Sequence, residues 1–272
     1  MFRLNSHAQI WFLWGNVLEK QKETKGIKIF FKQIFIFVVL FCLWQFVTSR
    51  GLVSPFLLPS PAQVFDTFIE VLQSGELASN IAVSLRRLFT GFGISCGITF
   101  FLVLLAVMLP ALRPYFQGVL TVLRHTPPLS LIPLLILWLG IGEAPKITVI
   151  VLATLFPVLL NTEHGIFCCD KKLIEVGEIF GFSKRKIFFK IMLPSALPEI
   201  LLGLCLGIGY AWRAIISAEL IAATSGIGYM ILDARAMART DKVIVGVLVI
   251  AILGVTTDFL TQKLVKFVTR NR

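Results

Sequence analysis

Six apolar stretches of bilayer-crossing length recur along this chain, at approximately 30–49, 86–109, 116–139, 145–162, 198–221 and 243–262. A helix rises about 1.5 Å per residue, so about 20 apolar residues cross a hydrocarbon core of about 30 Å. In lipid, each segment must satisfy its own backbone N–H and C=O groups. The stretches therefore read as helices, and the expected fold class is all-α, a polytopic membrane protein with about six transmembrane helices. Composition excludes the competing classes. Of 272 residues, 57% are hydrophobic and 15% charged, whereas soluble domains average about 45–50% apolar and about 25% charged. Disorder, collagen-like repeats and a disulfide-stapled secreted fold are incompatible with this balance.

The net charge of +11 would suggest nucleic acid in a soluble protein. Its placement points to topology instead. Six spans put both termini on one side, and on that side fall Lys20, Lys22, Lys25, Lys28, Lys171, Lys172, Lys184, Arg185, Lys186, Lys190, Lys263 and Lys266. Fewer cations, including Arg50, Arg86, Arg87, Lys146, Arg235, Arg239 and Lys242, fall on the other. The positive-inside rule makes the richer side cytoplasmic. The expected organisation is a cytoplasmic N-terminal segment 1–29, a first helix 30–49, a periplasmic interfacial segment 50–85, a core 86–265 containing a cytoplasmic segment 163–197, and a tail 266–272. No cleavage site follows the first helix, so it reads as retained. Within 50–85, Ser60 precedes Pro61 as a helix cap, and Val64, Phe68, Val71 and Leu72 follow helical spacing. Residues 222–242 carry Ser225-Gly226-Ile227-Gly228-Tyr229, too apolar for a free loop and too glycine-rich for a span. A re-entrant or interfacial piece fits them.

The segment 163–197 is longer than a helix connection needs. Asp170 reads as an N-cap, and Leu173, Val176, Gly177 and Phe180 share one helical face opposite Lys171, Glu175 and Glu178. Lys171 and Glu175 are spaced for an i,i+4 pair. Gly177 lacks a side chain, which would let another backbone approach closely. Gly181 reads as the C′ residue that ends this helix in the left-handed region. Ser183 reads as the cap of a second helix over 184–193 that Pro194 stops, with Ser195 capping the next span. Two short amphipathic helices meeting at a glycine corner can dock on a partner or lie on anionic lipid, and physics alone leaves both open.

The run Glu175-Val176-Gly177, then Gly181, then Ile191-Met192-Leu193-Pro194 resembles the EAA motif of binding-protein-dependent ABC importer permeases, with Val176 and Gly177 in place of its two alanines. Leu57-Leu58-Pro59-Ser60-Pro61, the stretch Arg124–Leu134 with Trp138-Leu139-Gly140-Ile141-Gly142, and Ala218-Glu219-Leu220 with Ser225–Met230 are similar to the nitrate/sulfonate/taurine branch of that family. The resemblance implies a type I importer core. Two permease copies, as a homodimer, would work with cytoplasmic ATPase subunits and a periplasmic solute-binding protein in a bacterial inner membrane. It also implies that Leu173, Glu175, Val176, Gly177, Phe180, Gly181 and Pro194 belong to the coupling segment that docks the ATPase. The chain contains no G-x-x-x-x-G-K-[ST]. The permease is therefore expected to be no enzyme and to hold no cofactor, with ATP and Mg on the partner ATPase. The implied solute is a small anion of the aliphatic sulfonate, taurine or nitrate kind. A thiamine-pyrimidine precursor, riboflavin or bicarbonate is the alternative within the class.

Charges at membrane depth cost about 2.5–3.5 kcal/mol each, so they should face a cavity or a partner. Arg124 and His125 precede Pro127, Pro128 and Pro133, which would break the third span. Arg213 and Glu219 lie six residues apart in the fifth span and cannot share a face, whereas Trp212 and Glu219 can. Arg124, Trp212, Arg213 and Glu219 are the translocation-path candidates. The competing reading has Arg124 and Glu219 at the two interfaces. Glu219 is also the one plausible relay carboxylate for an ion-coupled secondary transporter, the rival from another class. Gly93-x-x-x-Gly97 and Gly203-x-x-x-Gly207 read as helix-packing seams. Trp11, Trp14, Trp44 and Tyr115 suit interfacial belts. The cysteines and the dispersed His7, His125 and His164 suggest neither a metal site nor a catalytic site.

Overall fold

The computed structural model describes residues 35–112, 118, 122 and 124–270. The expected segment 1–29, Trp11, Trp14, His7, Tyr115, most of 116–123 and the last two residues of the tail lie outside the described residues. Every regular element among the described residues is helical. The chain divides into two units, 1–64 and 65–272.

In the first unit, α1 (Phe35–Ser49) carries the described part of the first expected span. Trp44 donates its indole N–H to the Pro59 carbonyl at 3.0 Å. At the start of α2 (Pro61–Gln73), the Ser60 hydroxyl accepts from Gln63 N at 3.3 Å while the Gln63 side chain accepts from Ser60 N at 2.9 Å. This reciprocal capping box satisfies two orphan donors and fixes where the helix begins.

Among the described residues of the second unit, four helical stretches are long and apolar enough to cross a membrane: Glu76–Met108, Glu143–Phe167, Lys184–Ile221 and Thr240–Thr269. The first is α3 (Glu76–Met108). It starts ten residues before the expected 86, so Arg86 and Arg87 belong to the helix and not to an outer segment. The described end of the third expected span is broken as its prolines dictate. Residues 124–125 are helical, Pro127 is extended, Pro128–Leu131 is a 3₁₀ turn, and α4 (Ile132–Leu139) follows.

Next come α5 (Glu143–Phe167), α6 (Lys171–Ile179), α7 (Lys184–Ile187), a π-helical turn (Phe188–Met192) and α8 (Leu193–Ala222). Pro194 does not stop a helix, contrary to the sequence expectation. In the π turn, Leu193 N bonds back to the Phe188 carbonyl, and α8 restarts with Pro194 in its first turn. A missing N–H is tolerated there, so α7, the π turn and α8 run on as one rod, and Ser195 lies inside it. The last elements are α9 (Ile227–Ala236) and α10 (Thr240–Arg270). The latter absorbs the described part of the expected tail.

The core is α5 laid along α8, with α3 against both and α9 and α10 closing the far side of α8. In lipid no hydrophobic gain drives helix association, so close van der Waals approach must supply it. Gly203 and Gly207 provide that approach, since an added Cβ would come within 2.8 Å of Asn161 and 2.7 Å of Val158 on α5. Gly93 and Gly97, expected to do the same, face open space within the chain.

Candidate functional site

Three assemblies sit in the second unit, at different heights along the bundle. The first is the elbow. Asp170 caps α6 by accepting from Lys172 N at 2.9 Å. At the other end Gly181 adopts φ +68°, Gly181 N bonds to the Glu178 carbonyl at 2.9 Å, and Phe182 N bonds to the Gly177 carbonyl at 3.0 Å. That pair is a Schellman closure, with glycine at the left-handed position that a Cβ would strain. Ser183 then caps α7, accepting from Lys186 N. Gly177 is buried, but side chains approach it and not a backbone: a Cβ there would meet Ile191 at 2.6 Å. Leu173 and Val176 stand exposed, and Ile179 (83% exposed) and Phe180 (71%) leave the end of the helix bare. Glu175 is also exposed and forms no ion pair with Lys171, so it is available to a partner.

At mid-height, the broken segment 124–129, the middle of α5 and the middle of α8 enclose a cavity of about 470 Å³. Arg124 and Arg213 both line it, with Tyr210, Phe156 and Pro157 on its walls and no carboxylate among the described residues of its lining. The Arg213 guanidinium lies 5.0 Å from the Tyr210 ring centroid, a cation–π spacing that holds the arginine without neutralising it. Pro157 within α5 and the prolines at 127 and 128 shape this opening, as broken helices do where backbone borders a cavity. Two of the four path candidates thus converge. Trp212 does not join them. It is 6% exposed and donates its indole N–H to Thr257 on α10 at 2.8 Å. One residue's step around α8 turns it from the cavity into the helix interface.

Glu219 belongs to the third assembly, which the sequence reading missed. It is fully buried, and Arg87 (2% exposed) donates to its Oε1 at 2.8 Å. Ser84 and the backbone N–H of Gly228 complete the carboxylate's partners, at 2.8 and 2.9 Å. The same guanidinium grips Glu143 through two 2.6 Å bonds and the Ser225 carbonyl through a third, and Lys146 reaches Glu143 at 3.1 Å. Asn80 and Ser84 accept from the N–H groups of Gly226 and Ile227 at 2.8 and 2.9 Å. Two cations therefore balance two carboxylates, and α3, α5, α8 and the start of α9 are tied at one point. Gly226 sits at φ +107°, where an added Cβ would enter the Glu219 carboxylate. The expected re-entrant piece is thus a pinned turn leading into α9. A sequence signal existed: charges of both signs, Arg87, Glu143 and Glu219, each interrupt or border an apolar run. With Glu219 held by Arg87, it is not free to serve the ion-coupled relay of the rival transport class.

Residues 90–270 match the family described as the binding-protein-dependent transport system inner membrane component. The chain belongs to this family. It is therefore the membrane-spanning permease subunit of an ABC importer and not an enzyme. It is a multi-pass inner-membrane protein whose family works with an ATPase and a solute-binding protein. Over 240 residues the permease is 38% identical to a Bacillus subtilis protein named for aliphatic sulfonates transport, SsuC, with 87% of each chain covered. It is 35% identical over 227 residues to the taurine transport system permease TauC of Escherichia coli, covering 79% of this chain and 80% of that one. A solved chain from a crystal structure of an amino acid ABC transporter with histidines shares its fold. The TM-score is 0.61 at 15% identity, covering 75% of this chain and 98% of the other.

Proposed function

We propose that the permease imports a small organic anion of the aliphatic sulfonate or taurine kind through the cavity between Arg124 and Arg213. The observation that carries this reading is the convergence of two arginines on a cavity with no carboxylate among the described residues of its lining. Both guanidinium groups are exposed to this opening, where an anion would compensate two like charges at once. The remaining walls, Leu152, Phe156, Leu160 and Tyr210, are apolar or aromatic. They favour an anion with a hydrocarbon portion over bare nitrate, since nitrate would leave them wet. The relatives named for sulfonates and taurine transport support the same solute class.

The elbow is the proposed docking point for the ATPase. Leu173, Val176, Ile179 and Phe180 form an exposed apolar cluster, the kind of surface a partner's groove covers, and Glu175 would fix it through a hydrogen bond or salt bridge. On this reading both termini and the elbow lie on the cytoplasmic side, in keeping with their lysines and arginines. ATP and Mg would be held by the ATPase, and a second copy of the permease would complete the path as a homodimer. Closure of the ATPase dimer would move the elbow, and the continuous rod of α7, π turn and α8 would carry that motion to Arg213.

The test is uptake of a labelled alkanesulfonate into vesicles holding the permease, its ATPase and its binding protein. Arg213→Ala is expected to lower uptake at least about tenfold, the loss of one charged partner, while ATPase co-purification is unchanged. Unaltered uptake would assign Arg213 to packing.

A further inference from the structure

A second cavity, of about 500 Å³, opens between the end of α3 and the start of the α7 rod. Its apolar part is built by Leu104, Val107 and Met108 of α3 and by Phe188 and Phe189 of the π turn. Phe188 is buried as the floor, and Phe189 stands exposed against it as a wall, the two rings edge to face at 5.0 Å. Its rim is cationic: Lys184 and Arg185 both border the opening, both are exposed, and no carboxylate lines it among the described residues. Lys186 is already turned away, its ammonium 3.9 Å from the Phe182 ring centroid.

The position of this groove limits what can occupy it. The membrane-length stretch Glu76–Met108 ends at it and the stretch Lys184–Ile221 begins at it. The groove therefore spans the depth where hydrocarbon gives way to headgroups, apolar below and cationic above. A soluble anion would satisfy the rim but leave aromatic and aliphatic walls wet. A neutral lipid would fill the walls but leave two cations without compensation at an interface. One molecule matches both ends.

We infer that this groove is a binding site for one anionic phospholipid, with an acyl chain against Met108, Phe188 and Phe189 and the headgroup phosphate on Lys184 and Arg185. The π turn is part of the site. Its wider i→i−5 bonding shifts Phe188 and Phe189 relative to an α-helical course, so one ring packs inward and the next faces the groove. The bound lipid would wedge the rod beside the elbow without touching the solute cavity. Occupancy of this site is independent of which solute is carried.

Native mass spectrometry of the full-length permease, purified in detergent and titrated with equal amounts of phosphatidylglycerol and phosphatidylcholine, tests the site. Each cation near a headgroup contributes on the order of 1 kcal/mol, so the wild type is expected to prefer the anionic lipid by about tenfold or more. Lys184→Gln with Arg185→Gln should bring that preference close to parity. Met108→Trp, at an exposed position, should reduce occupancy by phosphatidylglycerol by occupying the apolar part while leaving both cations. Helical circular dichroism and the melting temperature verify that each variant folds, and Arg185→Glu alone gives the same reading should the double variant not fold. Equal retention of both lipids by the wild type would overturn the proposal, as would a preference untouched by the charge variants. Displacement of the lipid by millimolar inorganic phosphate, with Met108→Trp indistinguishable from wild type, would reduce the groove to a site for a soluble anion and equally overturn it.

Discussion

The two ends of the second unit handle their polar and apolar groups in opposite ways. Around Glu219 everything is satisfied internally. Two carboxylates face two cations, and the N–H groups of Gly226, Ile227 and Gly228 each find a side-chain oxygen. At the elbow the backbone is equally well closed, by Asp170, Ser183 and the Gly181 corner, yet the side chains of Ile179 and Phe180 are left bare. The difference separates two kinds of rigidity. The charged knot holds four elements of one chain together and needs nothing from outside. The elbow holds only its own shape, a preformed surface whose missing contacts belong to another molecule.

The sharpest way to break this comparison is to remove the cation at the centre of the knot. Arg87→Ala leaves Glu219 buried without its charge partner, and breaking a buried pair by deleting one member costs about 3–5 kcal/mol. The full-length permease should unfold at a markedly lower temperature in detergent, and Arg87→Lys should fall between, because an ammonium cannot reproduce the forked grip on Glu143. A melting point within a degree or two of wild type for Arg87→Ala would mean that the region hydrates easily and is no fixed point.

A smaller loss is expected at Gly226. Its φ of +107° and the Glu219 carboxylate beside it both oppose a side chain. Gly226→Ala should cost about 1–3 kcal/mol, the range for strained backbone positions. Combining it with Arg87→Ala should give less than the sum, since both changes disrupt the same carboxylate. Strict additivity in a thermal-unfolding cycle would show that the turn and the ion pairs are separate structures.

The elbow should respond in the reverse sense. Ile179→Asp places a charge on a side chain already in solvent, so stability should change by no more than about 0.5 kcal/mol. Binding of the ATPase should nonetheless fall sharply in a pull-down, and Glu175→Lys should act the same way. If both variants retain the ATPase, the bare surface has some other use.

How far each end was legible follows from how local its determinants are. The capping box at Ser60, the Asp170 and Ser183 caps and the Gly181 corner each depend on residues within a few positions, so the sequence pattern alone places them. The knot joins Arg87 to Glu143 and Glu219, residues 56 and 132 positions away, and no local period reports such pairing. A hydropathy reading also ends a span at its first charges, which is why Arg87 looked like part of an outer segment when it lies inside α3. Pro194 misled for a related reason. Proline ordinarily stops a helix through its missing N–H, but a π turn just before it supplies a restart that composition does not announce. For the cavity, the prolines and the two arginines were visible, while the turn of Trp212 toward Thr257 depended on where α10 packs.

The smallest effect sharpens the comparison from within the knot's own neighbourhood. On the same side of the bundle as the buried network, Arg239 pairs with Glu70 through bonds of 3.0 and 3.1 Å, in solvent. The adjacent guanidinium, through its hydrogen bonds and its charge, holds the Glu70 carboxyl below the ordinary glutamate value of 4.5. A carboxylate whose folded value is depressed contributes stability that is fully present above its unfolded value and disappears as the pH falls through the folded one. The difference in melting temperature between wild type and Glu70→Gln should therefore be small and constant near neutrality, and should shrink once the pH drops below 4.5. Because this pair is exposed, added salt should also shrink it, whereas the melting difference between Arg87→Ala and wild type should hardly respond to salt. Equal salt sensitivity at the two positions would remove the distinction between the buried Arg87–Glu219 pair and a solvated clasp.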